Sequence, residues 1–292
     1  MDTLLHEMAD EVREQTDGRI EIVPQAAASL SGGNIRTMIQ NTQSGAVQMS
    51  MIATSVYTSF DPRMNVFSLP FLVADIDELK ALARDSELAA EIYADQENRG
   101  LHVADAWTRA LRQLVNAKQP ISTVEDMNGL RFRVPEIALW ADAFRAAGAA
   151  PVAMPFSEIP IAIQTGAIDG AERPTAFLVS EQWWTMGEYV TIANYTGDVL
   201  MASFNKTFWD GLTEDDRTLL TAAVRKYGDL NHQREKEREA GVIATLEENG
   251  MTVTRLDAEA QAGFQAVMEE VWTSYQDKIG EDVVRRAVEI VQ

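Results

Sequence analysis

For its first two-thirds the chain alternates short apolar runs with stretches of helical spacing, and from Thr213 onward the pattern is almost wholly helical. The strand-like runs fall at residues 20–23, 46–53, 101–107, 112–116, 130–134, 151–154, 189–193 and 199–204. Helical spacing falls at 34–44, around Leu79 and Leu82, around Ala138, Ala141 and Phe144, and from 157 to 164. Asp75 and Ser157 stand where N-caps belong, and Pro135 stops the strand before it. Strands alternating with helices predict a mainly parallel sheet with helical crossovers, and two such sets predict two α/β lobes. Length agrees, since 292 residues suit two cores of about 100–150 residues each better than one. With no repeat and no low-complexity linker, the chain is expected to cross between lobes several times. One lobe is assigned residues 1–108 plus 199–238, the other 109–198 plus 239–292.

The helical tail begins at Thr213-Glu214-Asp215-Asp216, a cap with an acidic first turn, and persists to Asn249-Gly250. That exceeds the usual length of about 8–20 residues, as a brace lying along both lobes would. Within it, Arg234-Glu235-Lys236-Glu237-Arg238-Glu239 alternates in sign. The run reads as a solvated face with i,i+4 pairs, with a partner-docking surface as the second reading. A strand at 251–256 and two further helices complete the pattern.

Charge and composition remove several classes of function. Lys plus Arg total 25 against 45 Asp plus Glu, a formal net charge of −20, which argues against a nucleic-acid partner. Cysteine is absent, so thiolate chemistry and disulfides are excluded. No apolar run reaches the roughly 20 residues that span a bilayer. The chain opens inside a helix, with Leu4, Leu5, Met8 and Val12 on one face, and no leader pattern precedes it.

Catalytic signatures are missing. His6, His102 and His232 are far apart and read as structural or exposed. No nucleophile elbow, phosphate loop or dinucleotide fingerprint occurs, and Ser31-Gly32-Gly33 reads as a turn. Asp169 and Glu172 fall in I-D-G-A-E, which reads as an Asp-Gly turn. No cofactor and no metal site is expected. Arginine is more informative. Arg112 and Arg133 sit in apolar strand segments, where a cation is costly unless paired. Arg131 and Arg133 share one strand face by the period of two, so either can reach a cleft at the strand's end. A guanidinium fork matches a carboxylate with two parallel hydrogen bonds; a structural Arg–Glu pair is the competing reading.

Three blocks carry a family likeness: G-L-R-F-R-V-P-E from Gly129, A-G-A-A-P-V-A-M-P-F-S-E-I from Ala147, and Q-T-G-A-I-D-G-A-E from Gln164. In order and spacing they resemble the signature of the TRAP (tripartite ATP-independent periplasmic) substrate-binding proteins of the DctP type. T-D-G-R-I-E-I, S-L-P-F-L-V and N-G-M-T-V extend the likeness over nearly the whole chain. The resemblance implies an α/β, two-lobe periplasmic-binding-protein-like fold, with a ligand cleft between the lobes and a long bracing helix. It implies a monomeric periplasmic protein, not an enzyme, that hands a small organic acid to the membrane permease subunits of a TRAP transporter. By the same resemblance a strand and an export signal are expected upstream of the first helix.

Residue by residue, Arg133 matches the family's carboxylate anchor and Arg112, in A-L-R-Q, its second cleft arginine, although the family usually has glycine where this chain has Ala110 or Leu111. Phe156 matches an aromatic that packs on ligand, and Glu136 a position that meets sugar hydroxyls. Ile137, Trp107 and Phe71 complete the expected ligand-binding set. Arg173 departs from the family, whose motif carries asparagine there. It either reads a second anionic group, which favours a dicarboxylate or sugar acid, or shifts the anion, or folds back onto Glu172 or Glu136. A two-lobe lyase or isomerase acting on an acid, and a sensory ligand-binding protein, are the rival readings.

Overall fold

Two sheets organise the residues that the computed structural model describes, 2–26 and 28–291. A three-stranded sheet orders β1 (Met49–Ala53), β8 (Val199–Asn205) and β2 (Leu101–Thr108), with β8 antiparallel to both neighbours. A six-stranded sheet orders β5 (Ala150–Ala153), β4 (Arg131–Val134), β6 (Gly170–Pro174), β3 (Arg112–Asn116), β7 (Tyr189–Thr196) and β9 (Thr252–Arg255). In it β4 runs parallel to β5 and β6, and β7 to β9, whereas β3 is antiparallel to β6 and β7.

The expectation of mainly parallel sheets needs correcting, and the topology says why. Strands reached through helices do share a direction within each sheet. The exceptions are β3 and β8, each of which arrives straight from the other sheet with no helix before it. These two strands are also the crossings. At that point the backbone N–H of Arg109 donates to the Asp198 carbonyl at 3.1 Å, so the two crossing segments are tied together. Gly197 lies in the crossing, and a Cβ there would come within 2.6 Å of Leu79 and 2.9 Å of Leu111. A side chain there would press on those leucine methyl groups and force them to shift.

The helix Glu214–Glu248 is 35 residues long and is capped by Thr213, whose hydroxyl accepts from the Asp216 N–H at 3.2 Å. It packs on the helix Asp2–Gln15 and on β2, then on the helix Thr175–Ser180 and on β9, and so touches both sheets. Three side chains fasten it to the end of β2. The Trp107 indole N–H donates to the Val224 carbonyl at 2.9 Å, the Asn231 amide donates to the Thr108 carbonyl at 2.7 Å, and His232 meets the Thr108 hydroxyl at 3.0 Å. Gly228 allows this approach, because a Cβ there would lie 2.8 Å from Asp105 and 2.9 Å from Trp107. The alternating charges lie largely on an exposed face, as expected, but two of the six reach other elements: Arg234 meets Glu7, and Lys236, with His232 just before the run, meets Asp77. Of the expected i,i+4 contacts, Gln233–Glu237 forms at 3.0 Å.

Two local expectations also change. Residues 20–23 pair with no strand among the described residues, although Ile20 and Ile22 still pack against the core beneath the first helix. Ser157 falls inside the turn Phe156–Glu158, and the helix Ile159–Gln164 starts after it. The C-terminal helices Ala258–Ile279 and Glu281–Val291 close the largest core cluster, which joins Leu79, Leu111, Trp140, Tyr195, Phe264 and Trp272. Burial of such side chains stabilises by about 1.5–3 kcal/mol each.

Candidate ligand-binding site

β6 lies in the middle of the six-stranded sheet and all five of its residues are buried. Glu172 therefore belongs to a strand and not to the turn that I-D-G-A-E suggested, and its side chain is completely enclosed. A carboxylate so placed needs a cation, and Arg112 on the adjacent β3 supplies one. Arg112 Nη2 donates to Glu172 Oε1 at 2.8 Å and Nε donates to Oε2, a two-pronged pair. The same guanidinium lies 4.8 Å from the Trp140 ring centre. Burial works against the charge on Arg112, yet the Glu172 charge and hydrogen bond outweigh it and hold its pKa above the ordinary value.

Arg133 reaches the same carboxylate from β4 with weaker claims. Its Nη1 lies 3.5 Å from Glu172 Oε1 and its Nε donates to the Met154 carbonyl at 2.9 Å. Nη2 makes no hydrogen bond among the described residues, although Arg133 is only 4% exposed. Burial lowers its pKa; Glu172 opposes that shift, while Arg112 and Arg173 reinforce it. The Tyr195 hydroxyl, also buried and without a hydrogen-bond partner among the described residues, sits within reach of the same field. Burial first, then the Glu172 charge, keeps that phenol protonated well above its usual range.

Arg173, next along β6, pairs with Glu181, its Nε donating to Oε2 at 3.0 Å and its Nη2 to Oε1. It folds back, but onto neither Glu172 nor Glu136. Rings cover its guanidinium, with Phe156 centred 4.3 Å and Phe177 5.1 Å away. Glu181 is fixed in turn by the Trp183 indole N–H at 2.8 Å. A fourth guanidinium, Arg109, lies 3.9 Å from Asp198, and Asp198 also accepts from the Thr54 and Ser55 hydroxyls at 2.9 and 2.6 Å. Burial depresses the Arg109 pKa, Asp198 counters it, and Arg112 and Arg173 add to the depression.

The structure thus brings Arg112, Arg133, Arg173 and Phe156 together around Glu172, which the sequence placed in a turn, and adds Arg109, Glu181 and Asp198, which the sequence reading passed over. Arg109 was legible as a charge at a strand-to-strand crossing. Glu181 had no local signal, since it meets Arg173 only because the chain turns back over eight residues. Arg131 does not join them. It pairs with Asp169 through Nε at 3.0 Å and Nη2 at 2.7 Å, at the opposite end of β4. Trp107 lies in the core beneath the long helix, fully buried, where its role is packing. Phe71 stacks on Phe264 at 4.9 Å and lines a separate cavity of about 370 Å³ with Asn194, Gln265, Glu269 and Trp272. Glu136 is exposed just past β4 and makes no ion pair among the described residues, and Ile137 beside it is half-buried.

Sequence and structure comparisons agree with one another. The family profile described as bacterial extracellular solute-binding protein, family 7 (DctP), matches residues 2–278. The C4-dicarboxylate-binding periplasmic protein DctP of Rhodobacter capsulatus is 28% identical over 84% of this chain and 74% of its own length. The 2,3-diketo-L-gulonate-binding periplasmic protein of Escherichia coli K12 is 26% identical over 86% of this chain and 76% of its own. Among solved structures, a TRAP periplasmic solute-binding protein of Ralstonia eutropha with bound (S)-2-acetolactate superposes with a TM-score of 0.91. It shares 27% identity, with 99% of this chain and 93% of that one covered. No helix among the described residues is long and apolar enough to cross a membrane.

Proposed function

The chain belongs to family 7 of the bacterial extracellular solute-binding proteins, the DctP family, and from that premise we propose that it captures a small organic acid in the periplasm and delivers it to a TRAP-type permease. The acid is of the sugar-acid or dicarboxylate kind that relatives are named for binding. The family is a substrate-binding family, and the proposed action is capture without turnover. Arg133 is the anchor. The observation that carries this assignment is a buried guanidinium with an unengaged Nη2, beside a carboxylate already claimed by Arg112. Such a cation gains more from a ligand carboxylate than any satisfied arginine can.

In this reading the three-stranded and six-stranded sheets are the cores of two lobes, hinged at 109–111 and 197–198 and spanned by the long helix. Arg112 holds Glu172, and thereby Arg133, in position. Phe156 supplies a flat apolar wall, while Glu136 and Ile137 lie at the rim, where closure of the lobes brings them toward ligand. Ligand favours the closed state only through contacts that both lobes make together. Micromolar to nanomolar capture needs about −8 to −12 kcal/mol. Charge-assisted hydrogen bonds of about 1.5–3 kcal/mol each, with desolvated aromatic contact, supply that scale after the costs of ordering.

The test is titration calorimetry of wild type and Arg133→Ala against succinate, galacturonate, galactonate and 2,3-diketogulonate. The variant should lose about 100-fold or more in affinity for whichever acid the wild type binds. Retained affinity in a folded Arg133→Ala protein rules out the anchor.

A further inference from the structure

Glu181 changes what Arg173 can do. Placed in a cleft with Arg133, a free arginine at 173 would offer two fixed cations and would suit a ligand with two carboxylates. In this protein the second cation already has its counter-charge, a two-pronged contact to Glu181 that the Trp183 indole N–H holds in place at 2.8 Å. The charges around the cleft can be taken in turn. Glu172 answers Arg112, Glu181 answers Arg173, and Asp198, 3.9 Å away, answers Arg109. The nearby Glu235–Arg238 pair, 3.3 Å apart, balances itself. Of the cluster's arginines, Arg133 alone has no carboxylate of its own, sharing Glu172 at 3.5 Å. Glu136, exposed at the rim, adds a negative charge unpaired among the described residues and no further cation. One arginine without its own counter-charge calls for one carboxylate from the ligand.

Arg173 keeps a further capacity. Its Nη1 makes no hydrogen bond among the described residues, while Nε and Nη2 are both held by Glu181. The rings of Phe156 and Phe177, 4.3 and 5.1 Å away, flank the guanidinium and restrict its movement. A donor that is charge-balanced, directional and set against aromatic walls suits a hydroxyl or keto oxygen better than a carboxylate.

We propose that the cleft selects acids with a single carboxylate and a neutral, oxygen-bearing remainder, and that Glu181 determines this specificity by occupying the cation a second carboxylate would need. The inference rests on the acid-capture reading above and narrows its ligand class. Calorimetry on matched pairs tests it, with galactonate set against galactarate and 4-hydroxybutyrate against succinate. Wild type should bind a monoacid about tenfold or more tighter than its diacid partner. Glu181→Gln, which keeps an acceptor for Trp183 but removes the charge, should shift that ratio about tenfold toward the diacid. A wild type that prefers the diacid overturns the proposal and leaves acid capture standing, as does a folded Glu181→Gln protein with an unmoved ratio. If Glu181→Gln does not fold, the wild-type ratio decides alone. Failure of wild type to bind any of the four, or the acids used against Arg133→Ala, would instead bring down the acid-capture reading itself.

Discussion

Arg131 and Arg133 stand two residues apart on one face of β4, and their surroundings could hardly differ more. Arg131 is 43% exposed at the side chain and fully engaged, with a two-pronged Asp169 contact and the Gly166 carbonyl at 2.6 Å. Arg133 is enclosed, holds one carbonyl, and lies at the long end of a carboxylate that belongs first to Arg112. An exposed arginine can rely on water for whatever the protein leaves unmet, so its pairing is a local convenience worth little. Arg133, only 4% exposed, has far less of that recourse, which is why the proposed anchoring falls to it. The contrast is one of burial and partners, which strand position and residue type do not supply.

The largest expected effect comes from removing the carboxylate that both buried arginines share. Glu172→Gln leaves Arg112 and Arg133 with no full counter-charge inside the sheet, so urea unfolding should show a loss of about 3–5 kcal/mol. An organic acid that binds should restore part of that loss, because its carboxylate returns the missing charge to the cluster. A variant as stable as wild type would mean that the two guanidiniums are hydrated, and the contrast with Arg131 would collapse.

Arg131→Ala should behave oppositely. Affinity for the acid should stay within about twofold of wild type, as for a surface change away from the site. Stability should fall by far less than in Glu172→Gln. Should calorimetry find affinity lost as steeply as in Arg133→Ala, both ends of the strand would have to feed one site.

Much of this was open to reading in the chain. The alternation of runs located every strand except β6, with one expected strand, 20–23, that pairs with none among the described residues, and Thr213 and Asp75 marked helix starts by their side-chain chemistry. The period of two put Arg131 and Arg133 on one face but could not say which had a partner, since Asp169 and Glu172 lie some 38 or 39 positions away. Glu172 itself was misread because Asp-Gly is a turn dipeptide and the strand begins only at that glycine. Sheet direction was misjudged for β3 and β8 because two consecutive strand-like runs do not say that the second enters the other sheet. Trp107 looked like a cleft aromatic, and only the long helix, more than a hundred residues on, shows it to be covered. Long-range pairing was the common missing term.

The smallest effect, and the finest discrimination, lies in pH. The Arg131 guanidinium, hydrogen-bonded to Asp169, holds that carboxyl below its ordinary 3.8, against a smaller opposing push from burial. A carboxylate whose pKa is depressed on folding contributes stability that is present above the unfolded value and lost as pH falls through the folded one. The gap in stability between wild type and Arg131→Ala should therefore be flat from neutrality down to about pH 5 and narrow below the ordinary value of 3.8. It should not close entirely, because Arg131 also donates to the Gly166 carbonyl at 2.6 Å, a contact that the alanine variant lacks at every pH. Urea midpoints at pH 7, 5 and 3 would trace this. A gap that persists undiminished at pH 3 would assign Arg131's contribution to its Gly166 contact and its aliphatic stem, and the ion pair would drop out of the comparison.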